Sequence, residues 1–173
     1  MRQKLLVLLL AAMFVFVGCG PSDNKNGNDN GNGNGKQEEM ELSIVDPRLE
    51  AAIRIELNKL EGELTVNDLG GLETLLAPES GIECLLGLEA AVNLNYVDFT
   101  NNEIVDVEVL GKIPSLTHIV LSGNKIKDIS ALNLKNLPDL YLLDVTGNKL
   151  DWDNPALRSH VEELRREGVT VNK

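Results

Sequence analysis

The chain has 173 residues, room for about one domain. Its formal net charge of −11, with 16 basic residues in no dense patch, argues against nucleic-acid binding, which needs clustered Lys and Arg. Aromatics make up only 3% while Leu, Ile and Val are plentiful, so a core must be built from aliphatic layers. Of the two cysteines, Cys19 and Cys84, one closes the leader, so no disulfide framework is implied.

The first element is a leader over residues 1–18. Arg2 and Lys4 form a positive start, and Leu5 to Val17 is an apolar run of 13 residues, too short to cross a bilayer. Phe16-Val17-Gly18-Cys19 resembles a bacterial lipobox, with Phe16 where Leu is usual. That resemblance implies cleavage before Cys19, lipidation of its thiol, and a place in a bacterial cell envelope on the extracytoplasmic face. An ordinary signal peptide with an incidental cysteine is the alternative. Residues 19–41 then read as a tether. Gly20 to Lys36 is GPSDNKNGNDNGNGNGK, a composition that behaves as flexible coil. Asn26, Asn28, Asn30 and Gly31 fall in an EF-hand-like register with Gln37 at the twelfth place, but neutral amides carry too little charge for calcium.

Residues 42–71 read as a helical N-terminal cap. Asp46-Pro47 is an N-cap followed by a first helical residue. Leu49, Ala52, Ile53, Leu57 and Leu60 then recur at helical spacing up to Gly62. Leu64-Thr65-Val66 is expected to add a short strand.

Residues 72–150 repeat. Leu94, Val97, Phe99, Asn102 and Ile104 recur 22 residues later as Leu116, Ile119, Leu121, Asn124 and Ile126. A third copy, 24 residues further on, holds Leu140, Leu143, Val145, Asn148 and Leu150. A degenerate copy upstream holds Leu72, Leu75, Ala77, Ser80 and Ile82. Apolar pairs follow each turn: Leu85 and Leu88, Val107 and Leu110, Ile129 and Leu132. One such unit cannot bury its apolar side alone, whereas a stack makes a continuous core. The pattern resembles the leucine-rich repeat, L-x-x-L-x-L-x-x-N-x-L, in the 22-residue class of internalin-like bacterial surface proteins. The segment Pro47-Arg48-Leu49-Glu50-Ala51-Ala52-Ile53-Arg54 is similar to the helical cap of that class.

Residues 151–173 read as the opposite cap. Asn154-Pro155 starts a helix with Leu157, Val161 and Leu164 on one face, Gly168 stops it, and Val169-Thr170-Val171 adds a last strand. Trp152 and Pro155 are expected to lie over the final repeat, and Cys84 to serve as a small packing residue.

The resemblance implies an α/β solenoid: a right-handed leucine-rich-repeat superhelix with a short parallel sheet on its concave side and a helix capping each end. Asn102, Asn124 and Asn148 are then a structural ladder, their amides satisfying backbone groups of the turns. The third, fifth and seventh positions of each repeat face outward from the sheet. The third column reads Thr74, Tyr96, His118, Leu142; the fifth Leu76, Asp98, Val120, Asp144; the seventh Pro78, Thr100, Ser122, Thr146. Strands ~4.8 Å apart place Tyr96 beside His118, with Asp98 and Asp144 flanking them and Tyr141 at the rim. Tyr96, Asp98, His118, Val120, Tyr141 and Asp144 are the candidate contact residues for a protein partner, since Tyr is enriched in interface hot spots.

No catalytic residue is assigned. Only two histidines occur, His118 and His160, and no nucleophile or phosphate loop accompanies them. Neither a metal nor a cofactor is expected. Two function classes remain. One is a monomeric, lipid-anchored module that binds a protein through the concave face. The other is an accessory envelope lipoprotein without a discrete ligand.

Overall fold

The computed structural model describes residues 42–173. The leader at 1–18 and the tether with Cys19 at 19–41 lie outside the described residues. Within them runs a parallel five-stranded sheet in sequence order: β1 (Thr74–Leu76), β2 (Tyr96–Asp98), β3 (His118–Val120), β4 (Leu142–Asp144) and β5 (Thr170–Asn172). Three helices flank it: α1 (Pro47–Glu56), α2 (Val66–Gly70) and α3 (Pro155–Arg166).

Each strand is three residues long because only the middle residue faces the core. Leu75, Val97, Ile119, Leu143 and Val171 form that central column, all buried. The residues one and four of each repeat, with the sixth and eleventh, close the interior, and Phe99 is its largest fully buried side chain. Such a core tolerates little loss: truncating a buried Leu or Ile to Ala costs about 2–5 kcal/mol.

The turn after each strand needs a left-handed residue at the eighth position. Glu79, Asn101, Gly123 and Gly147 fill it with φ of 53°, 55°, 70° and 69°. Their N–H groups pair along the stack, Glu79 to Thr100 O, Asn101 to Ser122 O and Gly123 to Thr146 O, each at 2.8 Å. The later copies use Gly, the residue without a steric penalty there. The ninth-position asparagines then stitch the repeats together. Asn102 Nδ2 donates to Ala77 O and Phe99 O, and its Oδ1 accepts from the N–H groups of Ser80 and Ile82. Asn124 repeats this with Phe99 O, Leu121 O and Ile104 N, and Asn148 with Leu121 O, Val145 O and Ile126 N.

On the return side, Asp106 and Asp128 each accept from the N–H two residues ahead. The first repeat has Cys84 in that place, buried in its return. There the acceptor comes from the cap instead. Asp46 caps α1 through Arg48 N and also accepts from the N–H groups of Glu83 and Cys84 at 2.7 and 3.2 Å. Burial alone would raise the Asp46 carboxyl, but these backbone donors outweigh it and hold the group below its ordinary value. Gly87 permits the same docking sterically. Its φ is 98°, and a Cβ there would strike the Ser43 carbonyl and Ile44 of the segment leading into α1. The two extra residues of the third repeat are gathered by Asn133, which accepts from Lys135 N and Asn136 N and donates to Ser130 O.

The caps depart from the sequence reading in three places. First, α1 ends at Glu56, not near Gly62. Asn58 turns left-handed at φ 50°, and Asn58 N and Lys59 N close back on Ile55 O and Arg54 O. That double closure ends a helix, and it leaves Leu60 70% exposed. Second, the strand expected at Leu64–Val66 is instead the start of α2. Thr65 Oγ1 accepts from Asp68 N while the Asp68 carboxylate accepts from Thr65 N, a reciprocal capping box that fixes a helix start. Third, Pro155 is exposed, because as the first residue of α3 it sits at a helix end and not over the core. Trp152 does pack against the core, half-buried, with Lys173 Nζ 4.9 Å from its ring centre.

α3 buries Val161 and Leu164, and His160 Nε2 reaches Leu132 O at 3.1 Å, tying the cap to the third return. Thr170 and Asn172 pair with β4, which turns Val171 O to the open edge, where the Arg165 guanidinium donates to it at 2.6 Å. Occupying an outward carbonyl blunts an edge strand against further pairing.

Candidate functional site

The outward residues of the sheet are set by pairing in strict register. Tyr96 lies opposite Thr74 and His118, and His118 opposite Leu142. The rings of Tyr96 and His118 stack, with centroids 5.7 Å apart and planes 26° from parallel. Tyr141, one residue before β4, turns its ring onto the other side of His118 at 5.4 Å and 48°. The three rings therefore form one row across three repeats. Tyr141 is part of that row and is 60% exposed.

His118 is held by its neighbour in the chain. Thr117 Oγ1 lies 2.8 Å from His118 Nδ1 and 3.0 Å from Asn95 O. A hydroxyl has one proton to give and Asn95 O can only accept, so Nδ1–H donates to Oγ1 and Nε2 is the ring nitrogen left open toward solvent. Among the described residues His118 makes no hydrogen bond to either aspartate. The base–carboxylate arrangement that would start an acid–base mechanism is therefore not assembled.

The fifth column runs Leu76, Asp98, Val120, Asp144 and Asn172. Val120 thus separates the two carboxylates. Asp98 Oδ1 accepts from the N–H and hydroxyl of Thr100, and Thr100 in turn lies 3.3 Å from the Ser122 hydroxyl. Asp144 accepts from Thr146 N at 2.9 Å and from Asn172 Nδ2 at 3.2 Å. Partial burial raises the Asp144 carboxyl, but Thr146 and Asn172 more than offset this and it stays below its usual value.

Two contributors escaped the sequence reading. Asn172 belongs to the face because β5 extends the third and fifth columns by one, with Thr170 and Asn172. Continuing the alignment into Val169–Val171 would have revealed it. Thr117 occupies a second position, outside the three columns considered, and only the structure shows that it orients His118. Among the described residues no group of three or more His, Cys, Asp or Glu side chains is placed to hold a metal ion.

The pattern described as Leucine Rich repeats (2 copies) matches residues 92–134 and 114–158, spanning β2 to β4. The matched residues are leucine-rich repeats, and the described residues fold as a leucine-rich-repeat solenoid. Its fold is similar to that of an internalin (inlF) of Listeria monocytogenes, with a TM-score of 0.63 and 25% identity over 73% of this chain and 36% of that one. It is also similar to internalin C2 (inlC2) of the same organism, with a TM-score of 0.57 and 30% identity over 61% of this chain and 46% of that one. Among curated sequences it is similar to acidic leucine-rich nuclear phosphoprotein 32-related protein 2 of Caenorhabditis elegans, 37% identical over 81 residues, 44% of this chain and 36% of that one. The chain spans only 36–39% of the length of the curated relatives it matches. Repeat proteins of this kind are in general non-enzymatic and act through protein partners.

Proposed function

We propose that this leucine-rich-repeat chain is an extracytoplasmic protein-interaction module, tethered to a bacterial membrane by lipid on Cys19, that receives a protein partner on its concave sheet face. The observation that carries the reading is the row Tyr96–His118–Tyr141. Three rings stand in a row, Tyr96 and Tyr141 each against His118, on a solvated face where packing demands none of them. Asp98, Val120 and Asp144 complete the patch. Aromatic clusters of this kind dominate the binding energy of protein interfaces. A five-strand sheet is small, at the low end of specific interfaces, so a tether that raises local concentration would supplement a modest affinity.

A photo-crosslinking amino acid at position 96 or 118 in intact cells tests this reading, with position 127 on the return side as control. A partner captured from the sheet face and absent from the control supports it. Equal labelling at all three positions would return the protein to the accessory class without a discrete ligand. Palmitate labelling that survives Cys19→Ser would remove the tether.

A further inference from the structure

The charge pattern of the sheet face specifies what kind of partner it fits. The third and fifth columns across five strands, and the seventh across four, hold no Lys or Arg, while Asp98 and Asp144 stand in the fifth. All five ion pairs among the described residues lie elsewhere, at Arg48–Glu83, Arg54–Glu50, Lys59–Asp68, Lys112–Glu108 and Lys125–Glu103. The face therefore presents carboxylates with no cation of its own beside the exposed ring row.

We propose, resting on the reading that this face binds a partner, that it takes an arginine-bearing basic segment, each guanidinium lying on the rings of Tyr96, His118 and Tyr141 with Asp98 or Asp144 as counter-ion. Aromatic faces carry negative quadrupole density and attract cations placed over them. Arginine fits better than lysine because its planar, weakly hydrated guanidinium stacks on rings and grips a carboxylate with two donors. Asp98 Oδ1 is occupied by Thr100, which leaves Oδ2 for an incoming donor. Val120, half-buried between the two aspartates, offers an apolar floor for the methylene stem. Asp98 and Asp144 are two strands apart, ~9.6 Å at the usual spacing, so the segment carries two arginines in place of one.

The test is selection of a random phage-displayed peptide library on the immobilised full chain, followed by affinity measurement of one enriched synthetic peptide. Enriched peptides are expected to carry paired arginines. Binding should weaken about ten-fold, equivalent to ~1.4 kcal/mol, for Asp98→Asn/Asp144→Asn, for Tyr96→Ala/Tyr141→Ala, and for lysine in place of arginine in the peptide. Circular dichroism of each variant verifies that these substitutions, three at half-buried positions and one at the exposed Tyr141, leave the fold intact. Enriched peptides without basic residues, still lost in Tyr96→Ala/Tyr141→Ala, would overturn this inference and leave the partner-binding face standing. Arginine peptides that bind the aspartate variants undiminished would overturn it too. Selection of no peptide that depends on either pair of variants would overturn both.

Discussion

Replacing one rung of the asparagine ladder tests the stacking argument quantitatively. Asn124 is 5% exposed, and Asn124→Ala would leave Ile104 N–H, now 3.0 Å from Oδ1, without an acceptor in the interior. Phe99 O and Leu121 O each lose one donor but keep another, from Asn102 Nδ2 at 2.9 Å and Asn148 Nδ2 at 2.8 Å. One orphaned buried donor costs about 1–3 kcal/mol, and a small void adds to it, so a loss of about 3 kcal/mol is expected. Asn102 serves two N–H groups, those of Ser80 and Ile82, and should cost more. Asn148 is only half-buried and its bond to Ile126 N is partly exposed, so it should cost about 1–2 kcal/mol. Urea unfolding followed by far-UV circular dichroism reads the series, with an accompanying fall in melting temperature of about 2–4 °C per kcal/mol. The reasoning is refuted if Asn124→Ala stays within about 0.5 kcal/mol of the parent. It is equally refuted if Asn148→Ala costs as much as Asn102→Ala.

Two further substitutions probe the turn and the cap. Glu79 sits left-handed at φ 53° where later repeats have Gly, so Glu79→Gly should relieve about 1–2 kcal/mol of strain against a smaller entropic loss. A net gain of about 0.5 kcal/mol in urea unfolding is the expected result, and a clear loss would show that the Glu79 side chain contributes in some other way. Asp46 joins α1 to the first return, and its backbone donors hold its folded pKa below the ordinary aspartate value. A depressed carboxyl contributes stability that is fully present above the unfolded pKa and is lost as pH falls through the folded one. Stability should therefore drop below about pH 4, and Asp46→Asn should flatten that fall while lowering stability at neutral pH. An unchanged acid limb in Asp46→Asn would mean that other carboxylates govern it.

The repeats were legible because their signal is redundant. Leu94, Val97, Phe99 and Ile104 must all face inward for one unit to stack, and the same four places recur on either side. The ninth-position asparagines were legible for a related reason, since a turn tolerates few side chains that can both donate and accept. The caps carry no such redundancy. Leu57 and Leu60 continue a helical period, yet Asn58 breaks the helix locally between them. Leu64-Thr65-Val66 looks like a strand by propensity, and a threonine paired with Asp68 overrides it with a cap. The ring row was half legible. Register predicts Tyr96 beside His118, but Tyr141 is a second-position residue, and its turn toward His118 depends on a side-chain rotation that spacing does not encode.

The same constraints show why function in this chain should be sought on one face. Inward positions are committed to packing, the eighth to left-handed geometry and the ninth to the ladder, so their chemistry is already spent on the fold. The return side is occupied by capping aspartates and exposed ion pairs such as Lys112–Glu108, which contribute little. Only the sheet columns are free to vary without loss of the stack. Neutral residues would suffice there for solubility, yet two stacked rings and two carboxylates stand in them, with Tyr141 adding a third ring at the rim. Rings and acids placed where folding leaves the choice open are the part of this sequence that the fold does not explain, and a cationic partner accounts for both at once.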